Sequence, residues 1–272
     1  MNYVSLVIDD RDVATLTMAR PEVHNAFDDT MISELRAALA QLRIRKNIRA
    51  LVLRGEGKSF SAGADLNWMR GMAQKDYQEN VADAGELGAL MWELDQLPIP
   101  TIALVQGAAF GGAVGLVACC DIAIATERAS FCLSEVKIGL IPAVISPYVV
   151  RAISNAAARR YMLTAERFSA AAAAKCGLVH EVFAELEQAE QKVQELTDIL
   201  ANNSPAAVAA AKRLVHDVTN APLNQELVAE TARRIAEIRV SSEGQEGLSA
   251  FLEKRPANWT LAAAAMNKSE SK

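Results

Sequence analysis

The chain has little of what marks the common metal, nucleotide and nucleic-acid proteins. Its cysteines are Cys119, Cys120, Cys132 and Cys176, and none forms a C-x-x-C pair. Its histidines, His24, His180 and His216, lie far apart, so neither metal-ligand spacing nor a nucleophile–histidine triad is readable. The cysteines therefore read as reduced, buried thiols of a cytoplasmic protein. No G-x-G-x-x-G follows the first strand and no G-x-x-x-x-G-K-[ST] occurs, which leaves the familiar nucleotide-binding folds unsupported. Positive charge is not in excess. The formal net charge of −5 argues against the diffuse basic surface that holds a phosphate backbone. One uncharged run, Gln96 to Cys120, has the length of a membrane span. Pro98, Pro100, Gly107, Gly111, Gly112 and Gly115 interrupt it, which suits a buried strand, a turn and a short helix. The opening Met1-Asn2-Tyr3-Val4 shows no basic stretch followed by an apolar block, so no signal or transit peptide is read there.

What is present suits a globular α/β protein. Of 272 residues, 51% are hydrophobic, enough for a sizeable core, and the 22% that are charged do not favour disorder. Val4, Leu6 and Ile8 alternate before Asp9-Asp10-Arg11-Asp12, and Val13 to Met18 alternate after it, which predicts a hairpin. Ile32, Leu35, Leu39 and Leu42 predict a helix, with Asp28 and Asp29 at its start. A short buried strand is expected at Ala50 to Arg54, a helix over Asp76 to Leu97, and a strand at Thr101 to Val105. A short helix at Gly112 to Ala118 and a strand at Asp121 to Ala125 follow. Short apolar strands separated by helices imply parallel pairing. After residue 200 the pattern turns helical. Ser204-Pro205 opens one helix carrying Val208, Ala211, Val215 and Val218. Leu223, Leu227, Ile235 and Ile238 populate another, and Ser242 with Gln245 suggests a capping box before Leu248, Phe251 and Leu252.

Three features carry chemistry. The turns Ser59 to Leu66 and Gly107 to Gly115 each follow a strand and open a helix. Each offers free backbone N–H groups, and the small residues let a ligand approach. Two such turns side by side would aim two donors at one oxygen, an oxyanion hole. The alternative is tight packing after the strands. The third feature is Glu135, the only acid between Ala129 and Val150, in an apolar segment. Desolvation would raise its pKa and suit a general acid/base; the alternative is a surface residue. Trp68, Met69, Met91 and Trp92 are readable as an acyl pocket or as core, and Arg70 and Lys137 as cations near the site or as solvated surface.

The motifs together resemble the crotonase (enoyl-CoA hydratase/isomerase) superfamily. Arg20-Pro21-Glu22-Val23-His24-Asn25-Ala26 is similar to its R-P-x-x-x-N-A segment, and Ser59 to Leu66 to its F-x-A-G-A-D-[LI] turn. Gly107 to Asp121, Glu135 to Pro142 and Glu246 to Arg255 resemble later family segments in the same order. The resemblance implies a spiral of ββα units over residues 1–200 with the CoA and active site, and a helical oligomerisation region over 201–272 that forms a trimer or hexamer. It implies that the N–H groups of Ala64 and Gly112 hold a thioester oxygen and that Glu135 is a catalytic glutamate. By the same resemblance Val23, Ala26, Ala62, Asp65, Leu66, Gly111, Gly115, Pro142, Ala143 and Lys254 bind substrate. The substrate would be an acyl-CoA, with no separate cofactor or metal and no nucleic-acid or membrane partner. Many hydratases of this kind carry a first glutamate where this chain has Gly115, a position expected to face the hole. Its absence leaves an enoyl-CoA isomerase, or a non-catalytic CoA- or RNA-binding homologue, as alternatives. Phe131 to Tyr148 is similar to a bacterial subgroup of methylglutaconyl-CoA and isohexenylglutaconyl-CoA hydratases.

Overall fold

The computed structural model describes residues 2–219, 221–261 and 263. Strands β1 (Val4–Ile8) and β2 (Val13–Met18) form the expected hairpin, closed by Asp9, whose Oδ1 accepts from the backbone N–H groups of Arg11 and Val13. β2 then pairs in parallel with β3 (Ala50–Gly55), β3 with β4 (Thr101–Val105), β4 with β6 (Ile122–Thr126), and β6 with β9 (Glu181–Phe183). A smaller sheet holds β5 (Ala108–Phe110), β7 (Ser130–Cys132) and β8 (Phe168–Ser169) in that order.

Both faces of the large sheet are buried, and the residues sort by parity as a pleated strand requires. Leu51, Leu53, Ala103, Val105, Ala123 and Ala125 face the main core. Their neighbours Ala50, Val52, Ile102, Leu104 and Ile124 pack on the other side against Ala189 and Val193. Those last two belong to α8 (Leu186–Asn202), whose buried positions recur every fourth residue. The main core is covered by α1 (Asp29–Ile44), α3 (Tyr77–Asp95) and α4 (Gly112–Cys119). Asp28 caps α1 by accepting from Met31 N–H, and Asp76 with Glu79 forms a capping box on α3. Helix α2 (Leu66–Met72) precedes α3. Helices α5 (Ser146–Ala152), α6 (Asn155–Thr164) and α7 (Ala170–Cys176) follow the smaller sheet's second strand.

The uncharged run resolves into β4, β5 and α4, and no helix among the described residues is long and apolar enough to cross a membrane. Cys119 and Cys132 are buried and all four thiols are free; burial pushes the Cys119 thiol well above its ordinary pKa. The chain ends in α9 (Pro205–Thr219), α10 (Gln225–Val240) and α11 (Ser242–Glu253). The expected capping box at Ser242 and Gln245 is not the one formed. Ser241 is the cap, accepting from Gly244 N–H, while Gln245 Nε2 reaches back to the carbonyl of Arg239. The turn between α10 and α11 is one residue tighter than the sequence spacing suggested, because Ser241 already ends α10. Leu223 falls before α10 and is exposed.

Candidate active site

The two small-residue turns lie against each other. Ser61 N–H donates to the carbonyl of Ala108 at 2.9 Å, and Phe110 N–H donates to the carbonyl of Ser61 at 3.0 Å. This is a parallel bridge between Ser61 and Ala109. Three positions on from the bridge in each chain segment come Ala64 and Gly112. A second bridge pairs Phe27 with Ala64, through Phe27 N–H to the Gly63 carbonyl at 2.7 Å and Asp65 N–H to the Phe27 carbonyl at 2.8 Å. The Phe27 ring then packs on Gly112, where an added Cβ would stand 3.4 Å from it. The N–H groups of Ala64 and Gly112 have no acceptor among the described residues, and both residues line one cavity.

The glycines of these turns have defined tasks. Gly63 has φ +90°, and a Cβ there would lie 2.8 Å from the carbonyl oxygen of Phe110. Gly111 caps α4 at φ +53°, and a Cβ there would lie 3.3 Å from Oε1 of Glu135. Glu135 opens a short 3-10 turn, Glu135–Ile138, after β7. Its carboxylate therefore rests on the bare Gly111 backbone, next to the free N–H of Gly112. Oε2 of Glu135 is buried with no hydrogen-bond partner among the described residues. Desolvation by burial raises its pKa, and the hydrogen bond from its own backbone only partly offsets this.

The cavity has a volume of about 560 Å³ and is mainly apolar at its walls. It brings together Ala62, Ala64, Leu66, Gly111, Gly112, Glu135, Pro142 and Ala143 of the residues expected from the sequence. Trp68, Met69 and Lys137 also line it. A second acid, Asp83, is on the lining, but its Oδ1 is held at 2.7 Å by Nζ of Lys75. Met91 is buried in the core, Trp92 stands exposed on another face, and Arg70 bonds Asn67 at the surface. Val23, Ala26, Asp65, Gly115 and Lys254 are not on the lining. Asp65 instead caps α2, accepting from Asn67 and Trp68 N–H, and Lys254 terminates α11 in a left-handed conformation.

Gly115 departs from expectation in an informative way. A side chain there would not enter open space. Its Cβ would lie 2.3 Å from Cγ2 and 2.8 Å from Cβ of Ile145, and 3.1 Å from Sδ of Met91. Ile145 fills that position and itself lines the cavity.

Sequence reasoning named Arg20 and Asn25 only as members of the R-P-x-x-x-N-A segment, and gave no role to them or to Gln106 in holding the turns. Asn25 is fully buried at φ +54°; its Nδ2 donates to the carbonyls of Glu56, Ser59 and Phe60, and its Oδ1 accepts from Arg20 N–H. Arg20 stacks on Tyr3, bonds Asp28 at 2.8 Å and reaches Asp65 at 3.4 Å. Gln106 Nε2 donates to the carbonyls of Gly55 and Ser59. Arg20 and Asn25 are the fixed polar members of the R-P-x-x-x-N-A segment; Asn25 is buried while Pro21, Glu22 and His24 are exposed, so the segment alone gave no sign of their distant partners.

Comparison with known proteins agrees with this geometry. Residues 9–262 match the family model described as enoyl-CoA hydratase/isomerase. The crystal structure of an enoyl-CoA hydratase from Shewanella pealeana superposes with a TM-score of 0.91 at 52% identity, covering 94% of this chain and 96% of that one. Pseudomonas aeruginosa AtuE superposes with a TM-score of 0.90 at 38% identity, covering 94% and 99%. The enoyl-CoA hydratase AKT6-1 of Alternaria alternata is 31% identical over 247 residues, 90% of this chain and 80% of that protein. With its paired turns, its half-buried glutamate and this likeness over nearly its whole length, the chain belongs to the enoyl-CoA hydratase/isomerase family.

Proposed function

We propose that this protein adds water across the α,β double bond of an enoyl-CoA thioester, with 3-methylglutaconyl-CoA or a related branched glutaconyl-CoA as the substrate class. The observation that carries the reading is the juxtaposition of two unpaired N–H groups, of Ala64 and Gly112, with one carboxylate, Glu135, whose Oε2 has no partner, at the wall of one apolar cavity. The thioester oxygen accepts from both N–H groups. Negative charge grows on that oxygen as water attacks the β-carbon, so donors fixed in advance stabilise the transition state, each by about 3 kcal/mol. Glu135 takes the proton released by the attacking water and passes it to the α-carbon, which collapses the enolate to the hydrated thioester. A carboxyl with a raised pKa suits both halves of that transfer, since it is neither a very weak base nor a permanent anion.

The family relationship and the resemblance of Phe131 to Tyr148 to glutaconyl-CoA hydratases support this substrate class. An isomerase is the second reading, favoured by Ile145 filling the space beside Gly115, because one carboxylate suffices to move a proton between two carbons. The exposed apolar residues Val228, Ile235, Val240, Leu248, Phe251 and Leu252 support a homo-oligomer built through residues 201–272. The test is to incubate the protein with 3-methylglutaconyl-CoA, crotonyl-CoA and a 3-enoyl-CoA and weigh the products after chromatography. Gain of one water by the branched diacid supports the proposal; a shifted double bond without mass change replaces it with the isomerase.

A further inference from the structure

The face of α3 that looks into the cavity carries one charge. Asn80, Asp83, Ala84 and Leu87 line the cavity at helical spacing and so form one stripe of α3. Leu87 fixes where that stripe lies, because its Cδ2 stands 3.9 Å from the place a Cβ on Gly112 would occupy. Asp83 is one turn away, about 6 Å along the helix axis. Helix α3 therefore brings a carboxylate to the cavity from the side of Gly112, while the carboxylate of Glu135 rests on Gly111.

The two oxygens of Asp83 are used differently. Asp83 also borders a neighbouring cavity, which it shares with Asp29, Lys75, Glu79 and Glu86. Lys75 lines that cavity and not the active-site cavity, and its Nζ donates to Oδ1 of Asp83 at 2.7 Å. The ammonium thus holds one oxygen from behind the wall. Oδ2 accepts no hydrogen bond among the described residues, so it is free to hold a water.

A water that attacks a carbon needs two acceptors. It has two O–H bonds and must turn a lone pair toward the β-carbon, so one O–H releases its proton while the other is held in place. Glu135 takes the released proton. Among the other polar side chains on the lining, Lys137 and the indole N–H of Trp68 only donate, and Asn80 and Ser134 offer neutral acceptors, weaker than a carboxylate. Position 115, whose space Ile145 fills, offers none.

We propose that Asp83 orients the attacking water, accepting its second O–H at Oδ2 while Lys75 holds Oδ1. This rests on the hydratase reading of the cavity. In the step, the water oxygen bonds to the β-carbon and the π electrons of the double bond move onto the thioester as an enolate, held by the N–H groups of Ala64 and Gly112. Glu135 carries the released proton to the α-carbon. Asp83 neither gains nor loses a proton.

Asp83→Asn tests this with the shape kept. Lys75 can only donate, so the amide turns its oxygen to Nζ and points Nδ2, a donor, at the water. Two rates are read for the wild type and D83N. One is hydration of 3-methylglutaconyl-CoA and crotonyl-CoA; the other is exchange of the α-protons of butyryl-CoA with deuterated water, followed by NMR. Exchange uses the N–H pair and Glu135 but no attacking water. In D83N, kcat for hydration is expected to fall roughly 10²-fold with little change in KM, the scale of a misplaced reactant, while exchange stays near the wild-type rate. Asp83→Ala, read in the same two assays, is expected to show the same split. Unchanged hydration in the variants overturns the proposal, and so does an equal fall of both rates, which would mark Asp83 as a structural residue only. A wild type that exchanges α-protons but hydrates neither thioester removes the hydratase reading and this role with it, whereas hydration that D83N matches removes Asp83 alone.

Discussion

Replacing Gly115 by alanine tests the packing at the base of the site. Two effects oppose each other. Alanine in place of glycine inside α4 favours the helix by about 1 kcal/mol. Against this, the new Cβ would stand 2.3 Å from Cγ2 and 2.8 Å from Cβ of Ile145. The second of these atoms is the branch point of the side chain, which cannot swing away without moving the backbone. Met91 blocks the remaining direction at 3.1 Å, and both neighbours are buried. Overpacking of a tight core costs about 1–3 kcal/mol, and contact with a branch point places this case near the upper end. The net expectation is a loss of about 2 kcal/mol, or a Tm lower by roughly 4 to 8 °C. Urea unfolding of G115A against the wild type, with unchanged m-values, measures it directly. A variant more stable than the wild type by about 1 kcal/mol would show that helix propensity alone operates there. It would refute the reading that Ile145 tightly fills the space beside Gly115.

Further expectations follow from the site. Glu135→Gln lowers turnover by roughly 10²-fold or more, because the proton relay is lost while the N–H pair remains; steady-state kinetics reads this. The same variant gains stability at neutral pH. Burial raises the Glu135 pKa, so the folded protein binds this proton more tightly than the unfolded chain does, and ionisation costs stability as pH rises above the ordinary carboxyl value of 4.5. Melting curves should show E135Q ahead of the wild type near pH 7 and the gap closing below the ordinary value. If Glu135 works as the base, kcat/KM of the wild type falls on the acid side with a midpoint above the ordinary glutamate value, and a midpoint at or below it would contradict the cited burial. Asn25→Ala strips partners from the carbonyls of Glu56, Ser59 and Phe60 and should cost about 2–4 kcal/mol in a urea titration, with a fall in turnover as the Ala64 turn loosens.

Much of this architecture was legible because the local signals agreed with one another. The hairpin, the parallel strands and α1, α3 and α4 follow from periodicity, caps and punctuation, and the structure places each within a residue or two of its expected bounds. The paired turns were readable as small residues after strands; that they meet is decided by the Ser61–Ala109 bridge, a long-range contact with no local signal. The environment of Glu135 was readable from its apolar neighbours, but its seat on Gly111 was not. The structural role of Arg20 and Asn25 was not legible in their motif, because a polar residue in a short segment looks like surface until its partners, distant in sequence, are in place. Gly115 was read as an empty position facing the hole. Sequence spacing gave its direction along the helix but could not show that Ile145, thirty residues later, fills that space. At the C-terminus, Ser241 and Ser242 are adjacent candidate caps, and only the backbone turn decides between them.

The most direct test of the central claim is the mass and isomer analysis of 3-methylglutaconyl-CoA after incubation with the wild type and with E135Q. Gain of one water with the wild type, and its near loss with a folded E135Q, is the expected result. Equal hydration by both proteins would contradict the role given to Glu135, and an unchanged thioester in both would contradict the proposed reaction on this substrate.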